Sequence, residues 1–160
     1  MKPVSILFVC MGNICRSPLA EGIFTHVAET AQKPHRFHVD SAGTGDWHAG
    51  NQPDPRSVEI AAQHGIDISG QRARQVKKDD FERFDLILCM DEDNLSRIMG
   101  SCPPGLRHKV HLFSQYASGT RTNVPDPYYG GKDGFLIVYN MLFAGCRSLL
   151  EKIDADGDVS

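Results

Sequence analysis

The chain has 160 residues, 41% of them hydrophobic, which is enough to bury a full core and makes one domain spanning residues 1–160 the expectation. A formal net charge of −3, with lysine and arginine scattered rather than clustered, gives no electrostatic footprint for DNA, RNA or an anionic membrane. No apolar run approaches the roughly 18 residues that cross a bilayer, so a soluble protein with neither nucleic-acid nor membrane partner is expected.

Val4-Ser5-Ile6-Leu7-Phe8-Val9 is a short, nearly continuous apolar run, the pattern of a strand buried on both faces of a parallel sheet. Gly12 and Asn13 break it. Ser17-Pro18 then opens a helix, with Ser17 suited to the N-cap and Pro18 to the first helical position, and Ala20, Ile23, Phe24 and Val27 continue it as an apolar stripe. Residues 37–42 alternate apolar and polar side chains and predict a second strand, followed by an irregular loop over 43–55. A helix over 56–64, closed by Gly65, leads through a polar segment to a strand at 85–89. Asp91 is placed to cap the next helix, which stops before Pro103-Pro104.

Residues 109–113 read as a fourth strand, and 114–132 as one long loop around Pro125-Asp126-Pro127; a loop of that length in a compact domain is usually functional. The last helix carries Phe135, Val138, Leu142, Cys146, Leu149 and Ile153 on one face. Alternating strands and helices predict a doubly wound α/β fold with about four parallel strands and helices on both faces. The five cysteines are an odd set without zinc-like pairing or a dense secreted pattern, and read as thiols of a reducing, cytoplasmic compartment.

The chemistry concentrates in Cys10-Met11-Gly12-Asn13-Ile14-Cys15-Arg16-Ser17, between the first strand and the first helix. Successive backbone amides in such a turn point inward as an anion nest, and the helix N-terminus adds positive potential at the same point. Cys10 would face those amides, Arg16 and the Ser17 hydroxyl, all of which favour an ionised, nucleophilic sulfur. Arg16 brings a planar fork that binds two phosphate oxygens at once. Gly12 permits close backbone approach, and Asn13 can hydrogen-bond across the loop. A bare Cys-(five residues)-Arg spacing equally fits a buried strand thiol and a surface arginine. The strand, the Gly-Asn turn, the Ser-Pro helix start and the second cysteine give the motif its weight. It lacks the Gly-Lys-Ser/Thr ending of a nucleotide-binding loop.

With these residues the sequence resembles the low-molecular-weight protein tyrosine phosphatases over nearly its whole length. The matching segments run from Val9 to Pro18, through Asp40-Ser41-Ala42-Gly43-Thr44 with Trp47-His48, His64-Gly65-Ile66, Ala73-Arg74-Gln75 and Leu88-Cys89-Met90-Asp91, to Val124-Pro125-Asp126-Pro127-Tyr128-Tyr129-Gly130. The resemblance implies a flavodoxin-like sheet, phosphotyrosine proteins or peptides as substrates, a phosphocysteine intermediate on Cys10, and no metal or other cofactor. It makes Arg16 the phosphate clamp and Met11, Gly12, Asn13, Ile14, Cys15 and Ser17 the phosphate cradle. Asp126, matching the aspartate of the family's late Asp-Pro pair, becomes the general acid; apart from the family it would be one turn carboxylate among several. Chemistry independently asks for such an acid, because breaking the ester bond leaves a phenolate that must be protonated.

Trp47, Tyr128 and Tyr129 resemble the family's aromatic pocket walls, although loop aromatics also simply pin loops to a core. Cys15 resembles a redox partner for Cys10; a packed, inert thiol is the other reading. In many relatives a histidine supports the phosphate-loop asparagine where this chain has Gln71, and Gln71 is expected to hydrogen-bond in its place. An arsenate reductase on the same scaffold would need a second relay cysteine where Ser96 stands, and a protein-arginine phosphatase carries threonine where this chain has Ile14. A phosphate-binding module without catalysis is the reading from another class. A monomer is expected.

Overall fold

Four parallel strands lie in the order β2-β1-β3-β4, with β1 (Val4–Cys10), β2 (Phe37–Gly43), β3 (Leu86–Cys89) and β4 (Val110–Leu112). They are seen in a computed structural model that describes residues 3–128 and 130–156. The strand β1 is central and, apart from Ser5, buried on both faces, as its nearly continuous apolar sequence predicts. Its side chains alternate: Ile6 and Phe8 enter a larger core with Leu19, Ile23, Phe24, Leu142 and Leu149, whereas Leu7 and Val9 enter a second core with Phe81, Phe84 and Ile98. Aromatic contacts knit the larger core, with the Phe8 ring edge-on to Phe113 at 5.9 Å and tilted against Phe24 at 6.2 Å.

The helices are α1 (Arg16–Thr30), α2 (Pro55–Gln63), α3 (Asp80–Arg83), α4 (Glu92–Ser101), α5 (Phe113–Ser118) and α6 (Lys132–Asp156). The helices α1 and α6 pack together on the larger-core face, while α4 lies against the strands on the other. The result is a flavodoxin-like α/β fold. Because β2 and β3 flank β1 on opposite sides, the loop leaving the carboxyl end of β1 sits at the switch point of the sheet, where open α/β folds bind ligands. Among the described residues no helix is long and apolar enough to cross a membrane.

Three local outcomes differ from expectation. The helix α1 starts at Arg16 with Cys15 at its N-cap and no side-chain cap bond, so Ser17 is not the cap; it is fully buried and its hydroxyl meets the Cys10 sulfur instead. The predicted 114–132 loop is shortened because α5 follows β4 without a break. The one-turn helix α3 fills the polar segment before β3. Asp91 does cap α4: its Oδ1 accepts from the Asn94 amide at 2.8 Å, and the Asn94 side chain accepts from the Asp91 amide, a reciprocal capping box.

Candidate active site

The loop after β1 is shaped by bonds from outside it. The carbonyl of Cys10 accepts from Thr44, that of Met11 from Gly45 and that of Ile14 from Asp54, at 2.9, 3.1 and 2.8 Å. In planar trans peptides, carbonyls drawn outward turn the opposite amide edges toward the centre of the loop, as an anion nest requires. Asn13 has a φ of 57°, in the left-handed region that asparagine tolerates well, and this reverses the chain inside the loop. Gly43, paired with Cys10 in the β1–β2 register, lets the strands close on the loop: a Cβ there would stand 2.8 Å from the Met11 carbonyl oxygen.

Asn13 is the brace of the loop. Its Nδ2 donates to Ser17 Oγ at 2.7 Å and to Ser41 Oγ at 3.0 Å, while its Oδ1 accepts from the Arg74 amide at 3.0 Å. Ser17 Oγ in turn lies 3.0 Å from Cys10 Sγ, and Ser41 Oγ donates to Glu21 Oε1 at 2.7 Å. A continuous polar chain therefore runs from the Cys10 sulfur to the Glu21 carboxyl. Gln71 takes no part in it. Its Nε2 donates to the Pro18 carbonyl at 3.0 Å and its buried Oε1 has no protein partner, so Ser41 and Arg74 do the work expected of Gln71. Glu21 went unnoticed in the sequence, where it reads as an ordinary helix carboxylate. Burial raises its pKa to about 7 and the Asp40 charge adds to the rise, against the lowering effect of the Ser41 bond and of Arg74.

Arg16 is buried with its fork engaged on one side. Nη1 donates to Asp91 Oδ2 at 2.6 Å and to the Val124 carbonyl at 3.0 Å, and Nη2 lies 3.7 Å from Asp126 Oδ2. Burial works against its charge, but Cys10, Asp91 and Asp126 outweigh burial and raise its pKa. Asp91 is thus both the cap of α4 and the anchor of Arg16; the sequence signals only the first role. Asp126 lies on the far side of the cleft, its Oδ1 accepting from the Tyr128 amide at 3.0 Å.

Cys10, Arg16 and Asp126 converge on one pocket of about 60 Å³, floored by Met11, Gly12, Ile14 and Cys15 and walled by His48 and Tyr128. That volume is far below the roughly 300 Å³ or more of a site enclosing a drug-sized molecule, and suits a small anion with its substituent left outside. A larger groove of about 510 Å³ between α1 and α6 brings together Val27, Phe143 and Leu150 but none of these groups. Tyr128 lines the pocket, its ring 6.4 Å from His48. Trp47 is 67% exposed and lies over Gly45, so the neighbouring His48 is the side chain that lines the pocket. Tyr129 lies outside the described residues. All five cysteines are free. Burial, and after it the charges of Asp54, Cys10 and Asp126, push the Cys15 thiol well up from its ordinary value.

Fold and site define an α/β enzyme with a cysteine loop, shaped as an anion nest, at the switch point of its sheet. The family model described as low molecular weight phosphotyrosine protein phosphatase matches residues 5–159. Relatives of that name from Schizosaccharomyces pombe and Sus scrofa are 47% and 41% identical, over 95% and 93% of this chain and 98% and 95% of their own lengths. The crystal structure of a protein tyrosine phosphatase from Entamoeba histolytica superposes with a TM-score of 0.91 at 35% identity, covering 96% of this chain and 99% of that one. The chain belongs to the low molecular weight phosphotyrosine protein phosphatase family.

Proposed function

We propose that this protein hydrolyses protein phosphotyrosine and small aryl phosphates through a phosphocysteine intermediate. The observation that carries the reading is the convergence of Cys10, Arg16 and Asp126 on one small pocket at the mouth of an amide-lined loop. Arg16 and the loop amides hold the phosphate while Cys10 Sγ attacks phosphorus from below. As the sulfur–phosphorus bond forms, the bond to the phenolic oxygen breaks, and Asp126 delivers a proton to that oxygen. Asp126 then takes a proton from the water that attacks phosphocysteine, and the sulfur leaves as a thiolate facing the Ser17 hydroxyl. The residues suffice for this chemistry with phosphoproteins as partners and no cofactor. Five unpaired thiols suit a cytoplasmic setting.

Substrate choice follows from depth. A phosphate seated in the loop puts its ester oxygen below the rim, where a long flat phenyl group reaches and the short phosphoserine and phosphothreonine side chains do not. Phosphoarginine is long enough, but its guanidinium would lose hydration against Ile14 and Tyr128. The test is kcat/KM on peptides matched except for the phosphorylated residue. Phosphotyrosine should exceed phosphoarginine and phosphoserine clearly, and Ile14→Thr should narrow the gap to phosphoarginine. Comparable values for phosphotyrosine and phosphoarginine in the unmodified protein would overturn the substrate assignment.

A further inference from the structure

We propose that Arg56 is a positioning residue that locks the Asp126 loop onto the phosphate loop; the proposal rests on the phosphatase reading, in which Asp126 is the general acid. The segment bearing Asp126 is anchored at two places. On its N-terminal side the Val124 amide donates to the Met90 carbonyl at 2.9 Å, and the Val124 carbonyl accepts from Arg16 at 3.0 Å. On its C-terminal side, Arg56 of α2 donates from Nη2 to the Tyr128 carbonyl at 2.9 Å and from Nη1 to the Gly130 carbonyl at 3.1 Å. Asp126 sits between these anchors, with its carboxylate tied to the Tyr128 amide.

The other edge of the same guanidinium reaches toward the phosphate loop. Nε and Nη2 donate to the two oxygens of Asp54 at 3.0 and 2.9 Å, a bidentate pair in which the Asp54 side chain is buried. Asp54 is itself fixed to the loop, its amide donating to the Ile14 carbonyl at 2.8 Å. The guanidinium also lies 5.6 Å from the centre of the Tyr128 ring and 4.5 Å from that of Phe135, at the start of α6. One planar cation thus spans α2, the acid loop and α6. A lysine, with a single point charge, could keep Asp54 company but could not serve two carbonyls and a carboxylate edge together. Arg56 itself is not among the residues that line the pocket; its effect on the reaction passes through the placement of Asp126.

Proton delivery matters most for leaving groups that bind protons tightly, so the readout is the dependence of rate on leaving-group acidity. Arg56→Ala should lower kcat/KM, which reports the steps up to release of the phenol, about tenfold to a hundredfold for phenyl phosphate and only about threefold or less for a dinitrophenyl ester. The inhibition constant of inorganic phosphate should stay within about twofold, because the cradle itself is intact. Arg56→Lys should fall between Arg56→Ala and the unmodified protein. In an Asp126→Asn background, Arg56→Ala should add almost nothing to the leaving-group dependence, since its effect has already been removed. Arg56→Gln serves in the same series should the alanine variant fail to fold. Uniform slowing across the leaving groups, or additive effects in the cycle, would overturn the role of Arg56 while leaving Asp126 as the acid. An Asp126→Asn variant with no leaving-group dependence of its own would overturn the acid assignment and, with it, the Arg56 proposal.

Discussion

Arg16 Nη1 and Asp91 Oδ2 stand 2.6 Å apart although 75 positions separate the two residues. The bond joins the first turn of α1 to the N-cap of α4 across the switch point of the sheet, so one carboxylate finishes a helix and orients the Arg16 guanidinium, the phosphate clamp of the proposed mechanism. The two duties are separable. Asp91→Asn retains a good capping side chain but loses the charged bond to Arg16, whereas Asp91→Ala loses both. The alanine variant should melt about 2–4 °C lower, from about 1 kcal/mol of lost capping. Both variants should bind inorganic phosphate about tenfold more weakly, as expected when a charge-assisted bond of about 1.5 kcal/mol no longer fixes the fork. Melting curves and phosphate inhibition check the two effects; equal melting points for the two variants would refute the division of labour.

Ser17 offers a sharper kinetic test. Its hydroxyl lies 3.0 Å from Cys10 Sγ and already accepts a bond from Asn13, which leaves its proton free to point at the sulfur. A thiolate is the leaving group when phosphocysteine is hydrolysed. Ser17→Ala should therefore slow the second step about tenfold to a hundredfold, the range expected for a lost hydrogen bond to a charged atom. A burst of phenol ahead of a slow steady rate would show it. A slowed burst with an unchanged steady rate would place the role of Ser17 elsewhere.

How much of this was legible in the sequence depends on the range of the interaction. The buried strand Val4–Cys10, the capping residue Asp91 and the long apolar face of α6 are local patterns, and each was readable. The loop from Cys10 to Ser17 was readable as a strand-turn-helix junction because the three adjoin in the chain. The helix α5 was not, since six residues give too little periodicity to separate it from a loop. The N-cap reading of Ser17, drawn from its place before Pro18, fails because α1 already begins at Arg16, whereas its position facing Cys10 was readable. Two of the three partners of Asn13 are Ser41 and Arg74, on β2 and the chain beyond α2, and no local pattern discloses them. The same holds for His48, which only the folded rim distinguishes from Trp47.

Glu21 ties stability to pH. Its native pKa of about 7 lies above the ordinary carboxylate value because burial, supplemented by Asp40, disfavours its charge. Between the ordinary value and about 7 the native state holds a proton that the unfolded chain releases. Stability from this residue is thus fully present at acidic pH and lost as pH rises to about 7. Glu21→Gln, which keeps an acceptor for Ser41, should remove that loss and gain roughly 1 to 3 kcal/mol at pH 8 relative to pH 5. Urea melts at the two pH values check it; an unchanged pH dependence in the variant would contradict the half-buried, protonated Glu21.

Cys15 bears on oxidation. Its thiol is held protonated by burial and by Asp54, so once peroxide has converted Cys10 to a sulfenic acid, attack by the Cys15 sulfur with loss of water should accelerate as pH rises. Peptide mapping after brief peroxide treatment should show the Cys10 to Cys15 disulfide. Cys15→Ser should recover less activity on thiol addition than the unmodified protein. Equal recovery would make Cys15 a packing residue only.

The covalent intermediate on Cys10 is the claim on which the rest depends. It is tested by acid-quenching the enzyme during turnover of a labelled phosphotyrosyl peptide and mapping the site of phosphate attachment. Phosphate is expected on Cys10, accumulating further in Ser17→Ala and absent, together with turnover, in Cys10→Ser. Phosphate on another residue, or sustained turnover in Cys10→Ser, would contradict it.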